Sequence, residues 1–571
     1  MNGKRVGRLV SGTLLLALAA PVVAMADDQA LQKQVDELTK AVRMLEEKQA
    51  QQKKVEELTR KVDRLEEKSL SRWLTIGGDY RFRIDSLRGE TKAYTDVNNT
   101  FANAQNQMNS AFLSNPTLYG PQVAAFQAFS NQMRQTTTYA GAMAFLRNNQ
   151  QMMGGLQSFA QTVPSYKPQN DTLYTNRLGL NIHAKATKDV SVNIRLLAYK
   201  TFGSQDDSAV TNSGSTPFFA DRTGVFDGTL GHVPSTSLLD VDRAYATWSN
   251  IADQPVWFSV GRRPSTGGAP SNLRTNDERP GNGGTPALLV DYAFDGMTLG
   301  WAPDIESLPG SYAKICYGRG FESGFENPGN SIKDTDMLGV AIIPIDTDPL
   351  RVWLQWDRGF NIFDFPTMSN TAFGNTAPSV NLGSIDWYGV GALSTIKDVG
   401  PGKLNFFGDA GVSITHPNNS VSANAGFQGL LTGSPFQPEA PTDKTGWAAY
   451  VGVRYDYTPT RTKLGFEYNH GSKNWITFTP AADDLWTSKL GTRGNVYETY
   501  LIQELNLKPV SSYLSKVFFR LGYQYYDFEY TGSNNWVGAP QKISSIKSSD
   551  MMLLTPLAKA YDIYGTFEVK F

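Results

Sequence analysis

The sequence predicts an all-β fold: a transmembrane antiparallel β-barrel of about sixteen strands, preceded by an α-helical coiled-coil segment. Three observations lead there. An export leader opens the chain, an aromatic-free heptad stretch follows it, and from Trp73 onward apolar residues alternate with period two over long segments. The expected organisation is a signal peptide over 1–26, a periplasmic coiled coil over 27–72, and a barrel over 73–571 with a long helical insertion at 87–172.

Lys4, Arg5 and Arg8 form a positive n-region, Leu9 to Val23 an apolar run, and Ala24-Met25-Ala26 a cleavage site of small residues. This is the pattern of a secretory leader. The alternative is a membrane anchor, but the apolar run is short for a spanning helix of about 20 residues. Cleavage would remove three cations and take the formal charge from −1 to −4.

Residues 27–72 contain no aromatic at all, although the chain has 11 Trp, 25 Tyr and 30 Phe. Leu31, Val35, Leu38, Val42 and Leu45 step by four and three, and Val55, Leu58, Val62 and Leu65 repeat the pattern. Such a seam is too narrow to be buried by a lone helix, so a parallel oligomer is expected, a trimer ahead of a dimer. A single helix packed on its own barrel or on the cell wall is the alternative. Segments 33–48 and 53–68 match at 10 of 16 positions. Gln49, Gln51 and Gln52 sit where the heptad slips by three, which overwinds a coil locally.

Beyond Trp73 the period changes. Tyr80, Phe82 and Ile84 alternate with Arg81, Arg83 and Asp85; Val517, Phe519, Leu521 and Tyr523 alternate with Arg520 and Gln524. Sixteen strands are expected: 73–86, 173–186, 190–203, 238–251, 255–263, 287–302, 311–322, 335–345, 350–362, 384–396, 403–416, 444–457, 463–471, 495–508, 515–530 and 556–571. Many exceed the usual length of about 5–6 residues in globular sheets and suit tilted membrane strands of about 9–11. Asp295-Gly296 is the weakest point, because a hairpin turn there would change the count by two.

Long connections alternate with short ones such as 187–189, 252–254 and 458–462. Bacterial outer-membrane barrels have this asymmetry of long outer loops and short periplasmic turns. The chain ends on an aromatic strand with Phe567, Val569 and Phe571. That ending resembles the terminal signature read by the barrel-assembly machinery. Closure also has a physical cause, since an open sheet edge in lipid leaves backbone groups unpaired.

Composition narrows the chemistry. Charged residues make up 19% of the chain, and the near-neutral balance argues against nucleic acid as a partner. Cys316 stands alone, and the four histidines His183, His232, His416 and His470 are scattered, so no cofactor or metal centre is expected. No hydrolase, zincin or phosphate-loop motif occurs, and no enzymatic activity is expected.

The candidate constriction is the Gly- and Pro-rich loop 264–286, with Arg262 and Arg263 at its entry and Arg274 and Arg279 along it. Fixed positive charge at a narrowing favours anions. Asp277 and Glu278 could cancel it, and a plain surface loop is the alternative. Arg81, Arg83, Arg177, Arg195, Arg454 and Arg520 fall on the polar parity and are expected to face the lumen, paired with Asp85, Asp409, Asp456 or Glu467. Loop 87–172 shows amphipathic stretches at 97–114, 120–135 and 138–162. A plug, an extracellular cap and an oligomer contact all remain open for it.

Four stretches carry a resemblance: Gly78-Asp79-Tyr80-Arg81-Phe82-Arg83, Tyr174-Thr175-Asn176-Arg177-Leu178, Asp242-Arg243-Ala244-Tyr245 and Val260-Gly261-Arg262-Arg263-Pro264. In this order they resemble a family of uncharacterised porin-like outer-membrane proteins with a periplasmic coiled coil before the barrel. The likeness covers most of 27–571. The arrangement is also similar to trimeric sugar-specific porins with an N-terminal coiled coil. The resemblance implies an outer-membrane channel for small hydrophilic solutes and supplies neither substrate nor catalytic residues. The competing expectation is a structural anchor, or a scaffold barrel for a periplasmic or electron-transfer partner.

Overall fold

A computed structural model describes residues 73–203, 238–265, 268–280, 288–327, 331–371, 374–479, 484–508 and 515–571, with scattered positions between 33 and 44. The chain divides into two compact units, 1–72 and 73–571. In the first, Lys33, Val35, Asp36, Thr39, Lys40 and Val42 to Met44 are helical, and the seam residues Val35 and Val42 are exposed. The signal peptide and the rest of the heptad stretch lie outside the described residues.

The second unit is a closed antiparallel barrel of sixteen strands. In chain order they are β1 (Leu74–Thr91), β2 (Gln169–Lys185), β3 (Val190–Thr201), β4 (Leu238–Trp248), β5 (Val256–Ser265), β6 (Tyr292–Trp301), β7 (Tyr312–Phe321) and β8 (Thr335–Asp346). Then follow β9 (Leu350–Phe363), β10 (Asn381–Val399), β11 (Gly402–Pro417), β12 (Lys444–Tyr457), β13 (Thr462–Gly471), β14 (Gly494–Glu504), β15 (Lys516–Phe528) and β16 (Leu557–Lys570). Each strand pairs with its sequence neighbours, and β16 closes the ring on β1 from Asp79↔Lys570 to Thr91↔Leu557. Asp295-Gly296 lies within β6, paired in register with Arg262-Gly261, and makes no turn.

Period two decides which side chain faces where. Val412 pairs with Trp447 and Val453 with Phe406, all on the outer face; Asp409 pairs with Tyr450 on the inner one. The outer face leaves Tyr388, Val390, Trp447, Val451, Phe466, Phe519, Leu521 and Ile563 exposed. Trp73, Trp248 and Trp301 are exposed at the end of the barrel that carries the short connections. Phe567 stacks near Phe519 on the outer face, with ring centroids 5.1 Å apart. Phe571 exchanges two backbone hydrogen bonds with Gly78, of 2.7 and 2.9 Å, so the last residue helps seal the ring.

The first long connection folds as α1 (Val97–Ser114), α2 (Pro116–Gln135), α3 (Tyr139–Asn148) and α4 (Gln150–Leu156). Side chains of Asp96, Asn115 and Thr138 cap the first three, accepting from the backbone N–H three residues on. The stretch expected as one helix over 138–162 is interrupted at Asn149. Phe126, Phe129, Phe145 and Leu156 pack on Val421, Ala423 and Phe427 of the connection between β11 and β12. A short strand at Tyr94–Asp96 pairs with Met551–Met552, before β16. The insertion therefore sits on other long connections as a cap, and none of its residues joins the apolar cluster inside the barrel. Among the described residues no helix is long and apolar enough to cross a membrane.

Candidate functional site

The inside of the barrel is divided. Two connections fold inward and pack on one side of the wall. The segment after β5 crosses the interior to β15 and β16: the Arg520 guanidinium donates to the Arg274 carbonyl at 2.7 Å, and Lys570 Nζ donates to the Thr275 carbonyl at 2.8 Å. Asn276 donates to Glu504 at 2.9 Å and accepts from Lys463 at 2.6 Å. Asp277 pairs with Lys570 and Glu278 with Lys516 (3.1 Å), so these acids neutralise wall lysines and leave the loop arginines to other partners.

Arg274 is buried against Asp484 (2.8 Å) and Glu498 (3.0 Å). Burial pushes its guanidinium down, but those two carboxylates outweigh burial and hold it well above its ordinary value. Lys489 also reaches Glu498 and Glu467, and Tyr564 donates to Glu498 at 2.6 Å. Breaking a buried network by removing one partner costs about 3–5 kcal/mol, so this cluster fixes where the loop can lie.

The second inward connection joins β13 to β14. Its Phe478 N–H donates to the Leu289 carbonyl at 2.9 Å, and Asp291 N–H donates back to the Phe478 carbonyl at 3.0 Å. Indole N–H groups fasten this second segment, Trp387 donating to the Ile476 carbonyl (2.9 Å) and Trp475 to Leu490 (2.7 Å), while Trp536, between β15 and β16, donates to the Phe363 carbonyl (2.6 Å). Leu288, Leu289, Trp475, Ile476 and Phe478 form an apolar core within the barrel.

The wall beneath is made of small residues. Gly389, Gly411, Ala448 and Gly471 lie in one register row across β10 to β13. A Cβ at Gly389 would come within 2.5 Å of Leu289, and one at Gly446 within 2.3 Å of the Asn474 and Trp475 backbone. Absence of side chains here is what lets the loops seat.

The opposite wall, β2 to β5 with the start of β1, keeps its polar side chains in reach of water. Side-chain exposure is 17% for Asp79, 16% for Arg177, 14% for Arg195 and 28% for Arg243. Arg195 bonds Asp79 at 2.7 Å and approaches Asp242 at 3.3 Å; Arg243 meets Asp242 at 3.2 Å, and Arg177 meets Asp79 at 3.7 Å. Among the described residues these three arginines meet Asp79 and Asp242. Arg263 adds a fourth cation on the inner face, donating to Ser259 at 2.6 Å and to Thr298. No carboxylate lies within ion-pair distance of Arg263 among the described residues.

The other expected residues distribute between the two sides. Arg81, Arg83, Arg454 and Arg520 point inward and are buried. Arg83 pairs with Asp85 (2.6 Å) and Asp562 (2.9 Å), Arg454 with Asp456 (2.6 Å), and Arg520 with Glu568 (2.9 Å). Asp409 accepts from the Trp353 indole at 2.8 Å, and Glu467 takes Lys489, so neither pairs with an arginine as expected. Arg262, expected at the constriction, lies on the outer face instead. It shares the parity of the exposed Val260 and Met297, and it pairs with Asp295 at 2.9 Å. The cause is that Arg262 lies within β5, where period two turns it to the side opposite Arg263. Arg279 is exposed and pairs with Asp348 at 3.3 Å, away from the wall arginines. Cys316 faces inward beside Thr298, in register with it.

Two contributors escaped sequence reasoning. Arg243 reaches the inner face next to Asp242 because the register slips between Arg195 and Leu196, which strict alternation does not anticipate. Arg493 is fully buried and donates to the carbonyls of Trp475, Thr531, Gly532 and Asn535, clamping two connections without any carboxylate. Nothing local in the sequence marks it.

A family model described as "Protein of unknown function (DUF3373)" matches residues 167–571. No curated protein matches the chain. Among solved structures, Pseudomonas putida OprB is similar over 88% of this chain and 95% of its own, with 10% identity and a TM-score of 0.39. An anion-selective porin from Comamonas acidovorans covers 87% of this chain and 99% of its own, with 11% identity and a TM-score of 0.37. The trimer form of OmpT, an outer membrane protein of Vibrio cholerae, gives the same coverage and identity with a TM-score of 0.36. At such scores the geometry of this barrel must carry the reading by itself.

Proposed function

This chain belongs to the DUF3373 family of unknown function, and we propose that it forms a narrowed outer-membrane channel for small hydrophilic solutes, biased towards anions. The observation that carries the reading is the division of the lumen. Inward connections and small wall residues fill the side bounded by β7 to β16, while Arg177, Arg195, Arg243 and Arg263 stand partly open on the side bounded by β2 to β5. Four guanidinium groups gathered along one wall of a confined space would select against cations.

The outer face supports membrane insertion. Water-soluble monomers rarely expose contiguous apolar patches beyond a few hundred Å², and here the exposed apolar positions continue from strand to strand. A barrel that satisfies every backbone group in its own ring is one of the two forms that cross a bilayer. The leader over 1–26 directs export, and the terminal Phe567, Val569 and Phe571 serve the barrel-assembly machinery. Val35 and Val42, exposed on a lone helix, would be buried in a periplasmic coiled coil joining copies, a trimer ahead of a dimer.

The apolar core inside the barrel favours a second reading, a plugged barrel acting as an anchor or scaffold. Ion currents across a planar bilayer separate the two. Discrete current steps with an anion-biased reversal potential in a salt gradient support the channel. Silence from a folded barrel supports the scaffold.

A further inference from the structure

We propose that the cap over the barrel holds a binding site for a small amphipathic anion, separate from the lumen. A cavity of about 430 Å³ opens between α1, α3 and α4, the 435–437 segment and Met551. That volume falls in the range of small-molecule sites, about 300–1,000 Å³. Its lining is largely apolar: Phe101 and Phe436, with ring centroids 5.5 Å apart, stand with Leu146, Met143, Met153 and Met551. Methionine side chains adapt their shape to an irregular apolar guest.

One cation interrupts that lining. Arg147, near the end of α3, borders the cavity and is exposed, and no acceptor is placed against it among the described residues. The polar remainder, Thr100, Gln150, Gln157 and Gln437, is neutral. An apolar chamber with a lone guanidinium at its edge matches an aromatic or aliphatic body carrying one carboxylate, which the planar fork of Arg grips in bidentate fashion. Gly154 of α4 borders the cavity, and a Cβ there meets nothing within 4 Å. Walls from three separate connections mean that a bound ligand would tie the cap together.

The test uses the full chain in lipid nanodiscs, with empty nanodiscs subtracted. Calorimetry compares 2-naphthoate with its neutral analogue 2-naphthylmethanol. The native chain should prefer the carboxylate. Gly154→Trp, which fills the open space, should abolish binding of both. Arg147→Gln should weaken 2-naphthoate about tenfold, the equivalent of one charge-assisted hydrogen bond, and leave the neutral analogue unchanged. Both variants should keep native heat-resistant mobility and native ion currents, which separates this site from the channel. Binding of 2-naphthoate that is absent above background, or unaffected by Gly154→Trp, overturns the site. Loss in Gly154→Trp with no change in Arg147→Gln overturns the anion assignment.

Discussion

The two sides of the barrel interior use the same residue types for opposite ends. Between β12 and β16, arginines and acids are buried, matched and bound to loop carbonyls; Arg454, Arg520 and Arg274 hold segments in place. Between β2 and β5, Arg177, Arg195 and Arg243 stay in contact with water. A lumen-facing arginine is therefore a fastener where a described loop reaches it, and elsewhere it keeps contact with water. What separates the two cases is the wall. The Gly389–Gly411–Ala448–Gly471 row admits the loops on one side only.

Disturbing the small-residue wall beside that row should have the largest effect. Gly446→Val places a methyl group against backbone at Asn474 and Trp475, so the second inward connection must move. Unitary conductance should rise several-fold, on the order of the difference between a filled and an open sixteen-strand barrel. An unchanged conductance would mean that this connection does not restrict flow. Next in size is Arg274→Ala, which leaves Asp484 without its ion-pair partner and costs about 3–5 kcal/mol. It should lower the thermal midpoint and make the current flicker, both measurable on one preparation.

Charge changes come third. Arg177→Gln combined with Arg195→Gln should shift the reversal potential towards cations, because both side chains stand partly open to water. Arg454→Gln combined with Arg520→Gln, which removes the same two charges from the packed side, should leave the reversal potential in place. Smallest of all is Arg262→Gln: an outward residue should alter neither conductance nor selectivity.

The barrel was legible in the sequence because its signal is local. Alternation such as Tyr561, Ile563, Gly565 and Phe567 against Asp562 and Thr566 fixes both strand and face, and all sixteen expected strands are present. The interior was less legible because its contacts are not local. Arg274 meets Asp484 across 210 residues, and nothing near either one signals the pairing. For the β5 connection the sequence left an inward course and a plain surface loop both open, and it did not indicate the destination of each arginine. Arg262 and Arg263 are adjacent and differ in fate because both still lie on β5, where successive side chains face opposite sides.

Chemical access tests the division of the lumen most directly. With Cys316 replaced by Ser, single cysteines at Asn193 and Asn405 would be exposed to a small anionic methanethiosulfonate in intact proteoliposomes. Both residues are on the inner face, one on β3 and the other on β11. An interior open beside β2 to β5 and filled elsewhere requires that the cysteine at 193 reacts and reduces current while the one at 405 stays protected. Equal reaction at both positions, or reaction at 405 alone, would contradict it.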